Sequence, residues 1–262
     1  MQTAQFLYTV QMRFLMVDTA DARGSVALFQ GAEVVCEEAH LGEEDYSSWL
    51  LLAVRRTLAA CSLSLTELNG YAVCAGPGSF TGLRVGLTTV KAWAEIYGRP
   101  IAAVSRLEAF ALTRLAASEE FVAAFADARR NQVFAALYKR RENSLALCGE
   151  ESVMRLSDFV TRVKREVGDP PVCWVSPDAD LIRSCPEWPF LATSGHVLLH
   201  VAAPFAAPLG RLAARKFASG ETVDAVSLDA NYVRRSDAEV LWKGNKSALK
   251  LEALCPKKPE LR

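Results

Sequence analysis

The stretch GPGSFTGLR, residues 76–84, carries residue types that bind phosphate: glycines, hydroxyls and an arginine ahead of a helix. It matches neither established phosphate fingerprint. A Walker loop requires its second glycine one residue before Gly82, followed by Lys and Ser or Thr, and a dinucleotide loop requires glycine where Thr81 stands. Free N–H groups at a helix start can still bind an anion. Two interpretations stay open: a tight turn, or an anion site at Gly76, Gly78, Ser79 and Thr81.

Two aspartates, Asp18 and Asp127, each end an apolar strand and precede a polar turn and a second strand. Their surroundings, FLMVDTADARGSVALF and AAFADARRNQVFAALY, align weakly, at the positions that an internal duplication would give. Carboxylates on two sides of a cleft can hold a metal-bound nucleotide. The alternative, which we favour, is that each aspartate caps its own strand-end turn.

His196 and His200 stand four residues apart in HVLLH, inside the segment 196–220, which is predicted to be partly helical. On a helix this spacing can place two imidazoles on one metal ion. No glutamate lies between them and no third ligand is near in sequence, so we expect no metal site. A G-x-S-x-G nucleophile elbow is also missing from the sequence. We expect no catalytic residues.

The elements around these residues follow one order twice, strand-strand-strand-helix-strand-helix. This order predicts a duplicated α/β protein of two lobes, the actin-like or Hsp70-like (ASKHA) architecture, in which each lobe's first strand ends at the cleft between the lobes. The predicted bounds are a loose extension at 1–11, lobes at 12–118 and 119–240, and a basic tail at 241–262.

The composition of the chain argues against several classes of protein. The chain has 262 residues, with 30 basic and 30 acidic side chains, so no overall positive field attracts nucleic acid. No apolar run reaches the roughly 18 residues that span a membrane. The seven cysteines include no C-x-x-C pair, and several lie in apolar runs. We therefore expect reduced thiols and a cytoplasmic protein without a membrane partner.

The helix after the glycine loop has a face of small residues. Gly82 and Gly86 lie four apart, with Thr89 and Val90 following on the same side. Such a face lets a second helix approach closely. The occupant is either this chain's own sheet or a partner's helix. The predicted partner interface consists of Gly82, Arg84, Gly86, Thr89, Val90 and Trp93.

Several segments together resemble one known family. GPGSFTGLRVGLTTVKAWA followed by IAAVSRLEA is similar to the signature of the TsaB (YeaZ) family, bacterial proteins required to make threonylcarbamoyladenosine beside the tRNA anticodon. VDTADARGSVAL, DARRNQVFAALY and NYVRRSDAE (231–239) resemble that family's first hairpin, second-lobe motif and C-terminal segment. The resemblance covers about residues 12–240. One departure is Tyr46-Ser47, where the family often has His-Ser.

The resemblance implies a non-catalytic paralogue of TsaD, the subunit that transfers the threonylcarbamoyl group to N6 of the tRNA adenosine. It implies that the chain pairs with TsaD through first-lobe helices, that the pair recruits the ATPase TsaE, and that tRNA is reached through the complex. Without TsaD, the same helices would form a homodimer. No cofactor of its own is implied, beyond a weakly bound nucleotide in the cleft.

Two other functions stay open at this stage. The first is an active nucleotide-dependent enzyme of the actin and sugar-kinase fold, with Asp18 and Asp127 around a metal and the glycine loop on phosphate. The second and weaker one is a peptidase, against which the missing metal motif argues.

Overall fold

The computed structural model describes residues 12–42, 44–114 and 118–233. The predicted extension at 1–11, the end of the NYVRRSDAE segment and the basic tail at 241–262 lie outside the described residues. The first lobe is built on a five-stranded sheet in the order β3-β2-β1-β4-β5. Its strands are β1 (Arg13–Asp18), β2 (Ser25–Gln30), β3 (Glu33–Ala39), β4 (Gly70–Gly76) and β5 (Ile101–Ser105).

The first three strands form an antiparallel meander, and β4 and β5 continue the sheet parallel to β1. Every residue of β4 is buried, as expected for a parallel strand covered on both faces. The first-lobe helices are α1 (Tyr46–Ala60), α2 (Phe80–Tyr97) and α3 (Arg106–Leu112). The glycine loop positions α2, because the Ser79 hydroxyl accepts a hydrogen bond from the Gly82 N–H.

The second lobe repeats this topology with the strand order β11-β10-β6-β7-β8. Its strands are β6 (Phe121–Asp127), β7 (Val133–Arg140), β8 (Leu145–Leu147), β9 (Ser152–Met154), β10 (Val172–Ser176) and β11 (Val197–His200). The sequence SLALCGEESV at 144–153 predicts a single strand. The chain instead breaks at Gly149, which has a φ of 78°, so β8 and β9 pair with opposite ends of β7.

The second-lobe helices are α4 (Leu156–Val167), α5 (Asp180–Arg183), α6 (Trp188–Thr193) and α7 (Ala206–Ser219). The prediction that residues 196–200 are helical is wrong. They form β11, which pairs in parallel with β10. The segment contains Val197, Leu198 and Leu199, and such a short apolar run does not distinguish a strand from a helix.

The last helix of each lobe packs on the other lobe. Helix α3 lies against β6 and β7 of the second sheet, and α7 covers β5, β1 and β2 of the first. The two helices also contact each other, with the Phe110 and Phe205 ring centroids 5.1 Å apart. Gly210 of α7 allows the closest approach, since a Cβ there would lie 2.0 Å from the Phe29 ring. The two-lobed duplicated α/β fold is thus confirmed, and the bounds 12–118 and 119–240 stay a prediction.

No helix within the described ranges has the length and apolar character that crossing a bilayer requires.

Candidate functional site

A cleft of about 530 Å³ opens where the two lobes meet. Its walls come from the β1–β2 turn, the glycine loop, the β6–β7 turn and the segment after α7. The lining residues are Ala20, Asp21, Ala22, Gly78, Ser79, Phe80, Arg106, Asp127, Ala128, Arg129, Arg130, Phe134, Asn231, Tyr232 and Val233. Three of the predicted cleft residues, Gly78, Ser79 and Asp127, therefore do line it.

Asp18 does not line the cleft, which corrects its predicted placement. Its side chain is fully buried beneath the β1–β2 turn, where Oδ1 accepts a hydrogen bond from the Ala20 N–H at 2.9 Å. Burial raises the pKa of this carboxyl, against the attraction of Arg106. Among the residues that the structure describes, none donates a hydrogen bond to the second oxygen, Oδ2. Asp18 is therefore a structural turn cap and not a ligand-facing carboxylate.

Gly76 and Thr81 also lie away from the cleft surface. Gly76 is buried, and a Cβ on it would lie 2.8 Å from the Asn231 carbonyl oxygen. Its φ of 128° belongs to a region that favours glycine. Thr81 is on the exposed side of α2. The anion interpretation thus keeps Gly78 and Ser79 from the glycine loop.

The floor of the cleft contains a buried arginine that is paired with an aspartate. Arg106, at the start of α3, is 2 % exposed and pairs with Asp21 at 2.6 Å. It also lies 4.7 Å from the Phe205 ring centroid. Burial by itself would raise the pKa of Asp21, but Arg106 and Arg23 lower it below its ordinary value. Asp21 is thus a carboxylate, and it compensates the buried guanidinium.

Arg23 joins the two lobes across this floor. Its guanidinium contacts Asp21 in the first lobe at 2.6 Å and Asp178 in the second at 2.9 Å. Asp178 in turn accepts the Asp127 N–H at 2.7 Å. None of Arg23, Asp178, Asp21 and Arg106 was among the residues predicted for the cleft. The sequence offers a signal for Asp21 alone, which is the second aspartate of VDTAD.

Asp127 organises the β6–β7 turn. Its Oδ1 accepts the Arg129 N–H at 2.7 Å, and Oδ2 pairs with the Arg129 guanidinium at 3.3 Å. The turn holds Arg129, Arg130 and Asn131 in succession at φ values of 63°, 57° and 58°. Non-glycine residues seldom adopt this left-handed conformation. The result is that two arginines face the second-lobe side of the cleft.

The segment after α7 closes the cleft from the first-lobe side. The Asn231 N–H donates to the Ala75 carbonyl at 2.7 Å, and its amide donates to Glu151. Tyr232 packs on Phe80 with ring centroids 5.1 Å apart, and its hydroxyl accepts a hydrogen bond from Arg84 at 3.2 Å. The NYV residues of the C-terminal motif therefore belong to the cleft wall.

The small-residue face of α2 is already occupied. A Cβ on Gly82 would lie 2.1 Å from the Thr19 carbonyl oxygen, and one on Gly86 would lie 2.5 Å from Thr19 Oγ1. Val90 and Trp93 are buried in the same core. The predicted partner groove is therefore corrected to an intramolecular one, because β1 and the turn after it fill it.

The remaining predicted interface residues have other neighbours. Arg84 is exposed and lies 3.9 Å from the Phe80 ring centroid. Half-buried Thr89 donates its hydroxyl hydrogen to the Val85 carbonyl at 2.8 Å. Exposed apolar side chains lie instead on the outer faces of α1 and α2: Leu51, Leu52 and Ile96 are 57 %, 51 % and 71 % exposed. Leu51 also borders a shallow groove of about 330 Å³, which is lined by Leu51, Val54, Arg55, Leu58, Ala59, Leu63, Ser64, Leu65 and Trp93.

The histidines serve structural roles. His196 Nδ1 accepts hydrogen bonds from the Val172 N–H and the Trp174 indole N–H, both at 3.2 Å. His200 Nε2 lies 3.1 Å from the Pro177 carbonyl oxygen. Among the described residues, no group of three or more His, Cys, Asp or Glu is arranged to hold a metal ion.

Tyr46, the departure from the family's His-Ser pair, stabilises the β1–β2 turn. Its hydroxyl donates to the Asp21 carbonyl and accepts the Gly24 N–H at 2.8 Å. Its ring also contacts His40, with centroids 4.8 Å apart. The substitution therefore supports the turn that carries Asp21 into the cleft.

Comparison with known proteins agrees with this architecture. The family model for "TsaD: tRNA N6-adenosine threonylcarbamoyltransferase" matches residues 34–168. The tRNA threonylcarbamoyladenosine biosynthesis protein TsaB of Bacillus subtilis (strain 168) is 30% identical over 234 residues, 88% of this chain and 98% of that protein. TsaB of Escherichia coli (strain K12) is 31% identical over 240 residues, 88% of this chain and 97% of that protein.

Among solved structures, YeaZ from Pseudomonas aeruginosa superimposes with a TM-score of 0.70 at 26% identity. The match covers 85% of this chain and all of that one. The superposition thus spans both lobes. Since the TsaB relatives align over nearly their whole length, the chain belongs to the TsaB (YeaZ) family of tRNA threonylcarbamoyladenosine biosynthesis proteins.

Proposed function

We propose that this chain is the scaffold subunit of the assembly that adds the threonylcarbamoyl group to N6 of the adenosine beside the tRNA anticodon. It pairs with a TsaD-type transferase, and the pair recruits a TsaE-type ATPase and binds tRNA in the cytoplasm. The observation that carries the proposal is the alignment with TsaB proteins over 98% and 97% of their lengths. The burial of Asp18, which removes one of the two candidate catalytic carboxylates, supports a non-catalytic role.

The pairing surface that we propose is the outer face of α1 and α2. It presents Leu51, Leu52 and Ile96, each more than half exposed, and Leu51 also lines the shallow groove that contains Trp93. Large apolar side chains that cluster on a surface are typical of interaction sites. In the absence of the TsaD-type partner, the same face would pair two copies of this chain.

The test is co-purification of the double variant Leu52→Glu, Ile96→Glu with the TsaD-type paralogue, with Phe190→Glu as the matched control. Phe190 is 67 % exposed on α6 of the second lobe. We expect the double variant to lose at least tenfold in affinity, since two carboxylates would be desolvated in an apolar contact. The control should pair normally. Normal pairing by a folded double variant would contradict the proposed surface.

The overall function is tested by reconstituting tRNA modification with and without this chain. We expect the modified adenosine only when the TsaD-type and TsaE-type subunits act with this chain present. Modification at an equal rate without it would contradict the scaffold role. Modification by this chain alone would favour the enzyme alternative.

We further propose that the cleft binds a nucleotide weakly. Arg106, Arg129 and Arg130 line it together with the start of α2, so phosphate groups would meet positive charge there. Calorimetry with ATP and magnesium ions tests this. Weak binding that Arg129→Ala reduces would support the proposal, and tight binding abolished by Asp127→Ala would favour a nucleotide-dependent enzyme. No heat of binding at millimolar ATP would contradict both.

A further inference from the structure

Strand β3 is the edge of the first-lobe sheet, and its two faces contact different helices. Cys36 and Glu38 pair with Leu28 and Val26 of β2, so these residues share one face. Glu37 lies on the opposite face, beside Ala207 and Arg211 of α7. Cys36 and Glu38 therefore face α1.

Helix α1 runs along this face and is tied to it by an ion pair. The Arg56 guanidinium donates to both Glu38 oxygens, at 3.0 and 3.1 Å from its Nε. Cys61, the C-cap of α1, follows Arg56 by five residues, about 7.5 Å along a helix. Cys36 precedes Glu38 by two strand residues, about 6.8 Å. The helix and the strand therefore bring Cys61 next to Cys36.

Cys36 and Cys61 are both free thiols, and Cys61 is close enough to Cys36 to affect its ionisation. Burial and the neighbouring Cys61 raise the pKa of Cys36 above its ordinary value. Both cysteines are free, and both are partly exposed, so a small reagent can reach them. Cys74, Cys173 and Cys185 are buried by comparison.

We propose that Cys36 and Cys61 form a reversible disulfide that fastens the C-terminal end of α1 to the edge strand β3. The oxidant is a low-molecular-weight disulfide such as oxidised glutathione. One thiolate attacks it, forms a mixed disulfide and releases one glutathione thiol. The second cysteine then attacks the mixed disulfide and releases the other glutathione thiol. Two protein thiols are oxidised and one disulfide is reduced to two thiols.

The cross-link acts on the helix that carries Leu51 and Leu52. It closes the loop from residue 36 to residue 61, which restricts the unfolded chain and removes fraying at the end of α1. The site stands independently of the proposed pairing surface, because it depends only on the contact between β3 and α1.

The experiment exposes the reduced full-length chain to oxidised glutathione at about pH 8.5, where a larger fraction of thiols is ionised than at neutral pH. Remaining thiols are then blocked by alkylation, and peptides are analysed by mass spectrometry. Before alkylation, we expect the oxidised protein to be lighter than the reduced chain by two hydrogen atoms. After digestion, the Cys36 and Cys61 peptides should be joined by a disulfide. Its Tm should rise by roughly 5 °C, and a reducing agent should reverse the rise.

Single variants separate this site from the other cysteines. Cys36→Ser and Cys61→Ser should each lose the linked peptide and the rise in Tm, whereas Cys148→Ser, at another partly exposed cysteine, should keep both. The proposal would be overturned by a stable single glutathione adduct on Cys36 or Cys61. It would also be overturned if both thiols were alkylated while the glutathione pool is mostly oxidised. A link from either cysteine to a different cysteine would also overturn it.

Discussion

At the scale of single residues, the cleft depends on charges that compensate one another inside the protein. Arg106 is almost fully buried, and Asp21 pairs with it directly while Asp18 lies nearby with a raised pKa. Charged side chains are seldom fully buried unless they are paired. The sequence shows that these residues are charged, but it does not show that they pair. They pair because the fold brings the turn after β1 into contact with the start of α3.

Replacing Arg106 by methionine should destabilise the protein by about 3 kcal/mol, because buried Asp18 would lose the positive charge beside it and Asp21 would keep only the partly exposed Arg23 as a partner. Urea unfolding at neutral pH measures the loss. Arg129→Ala is the matched control, since its side chain is 82% exposed, and it should change stability by less than about 1 kcal/mol. A change of that small size for Arg106→Met would contradict the pairing.

His196 should make stability depend on pH. Burial and the nearby Lys164 hold the pKa of His196 below 6.5, so the folded state binds protons less readily than the unfolded state. The resulting contribution is fully present above the unfolded pKa of 6.5, and it is lost as pH falls from there through the folded pKa. Protonation would also turn Nδ1 into a donor facing the Val172 and Trp174 N–H groups.

Urea unfolding of the wild-type chain and of His196→Asn at pH 7.5 and pH 5.5 measures this dependence. We expect the wild type to lose more stability than the variant over this interval. Equal losses would show that His196 does not titrate as its contacts require.

At the scale of elements, α2 illustrates how a correct pattern can have more than one structural explanation. Gly82 and Gly86 do form a face that another group approaches closely, as their spacing indicated. The group is Thr19 of the same chain. A spacing of four residues identifies a helix face but not its occupant. The residues predicted for the partner interface therefore include Gly82, Gly86 and Val90, which are buried within this chain.

Gly86→Ala should destabilise the protein by about 1–3 kcal/mol, since the new Cβ would lie 2.5 Å from Thr19 Oγ1. A double-mutant cycle with Thr19→Ala measures the interaction. The second substitution removes the clashing oxygen, so the combined loss should be smaller than the sum of the single losses. Additive losses would contradict the close packing of α2 on β1.

At the scale of the whole molecule, the two lobes exchange their last helices. Helix α7 covers the first-lobe sheet, and α3 covers the second. Each sheet therefore has one face that is covered only when both halves of the chain are present. The sequence order strand-strand-strand-helix-strand-helix predicts two lobes but not this exchange, because chain order does not reveal which sheet a terminal helix joins.

A fragment of residues 12–118 should accordingly fail to fold by itself. It lacks α7, so Phe14 and Phe29 would lose the cover that α7 gives them. We expect no cooperative urea transition for the fragment and a single transition for the full chain. A cooperative fragment with native-like circular dichroism would contradict the exchange.

The amino-acid sequence alone determined the α/β class, the duplicated order of elements, most strand and helix positions of the first lobe, and the family. The structural predictions follow from local periodicity, capping residues and turn residues, and the family follows from the resemblance of several motifs to its signature. Each of those signals lies within a short segment. The tertiary structure alone decided that Asp18 is buried, that Thr19 fills the α2 groove, that β11 is a strand, and that Arg23, Arg106 and Asp178 meet at the cleft. These outcomes depend on contacts between segments far apart in the chain, where burial and charge compensation select among locally equivalent alternatives.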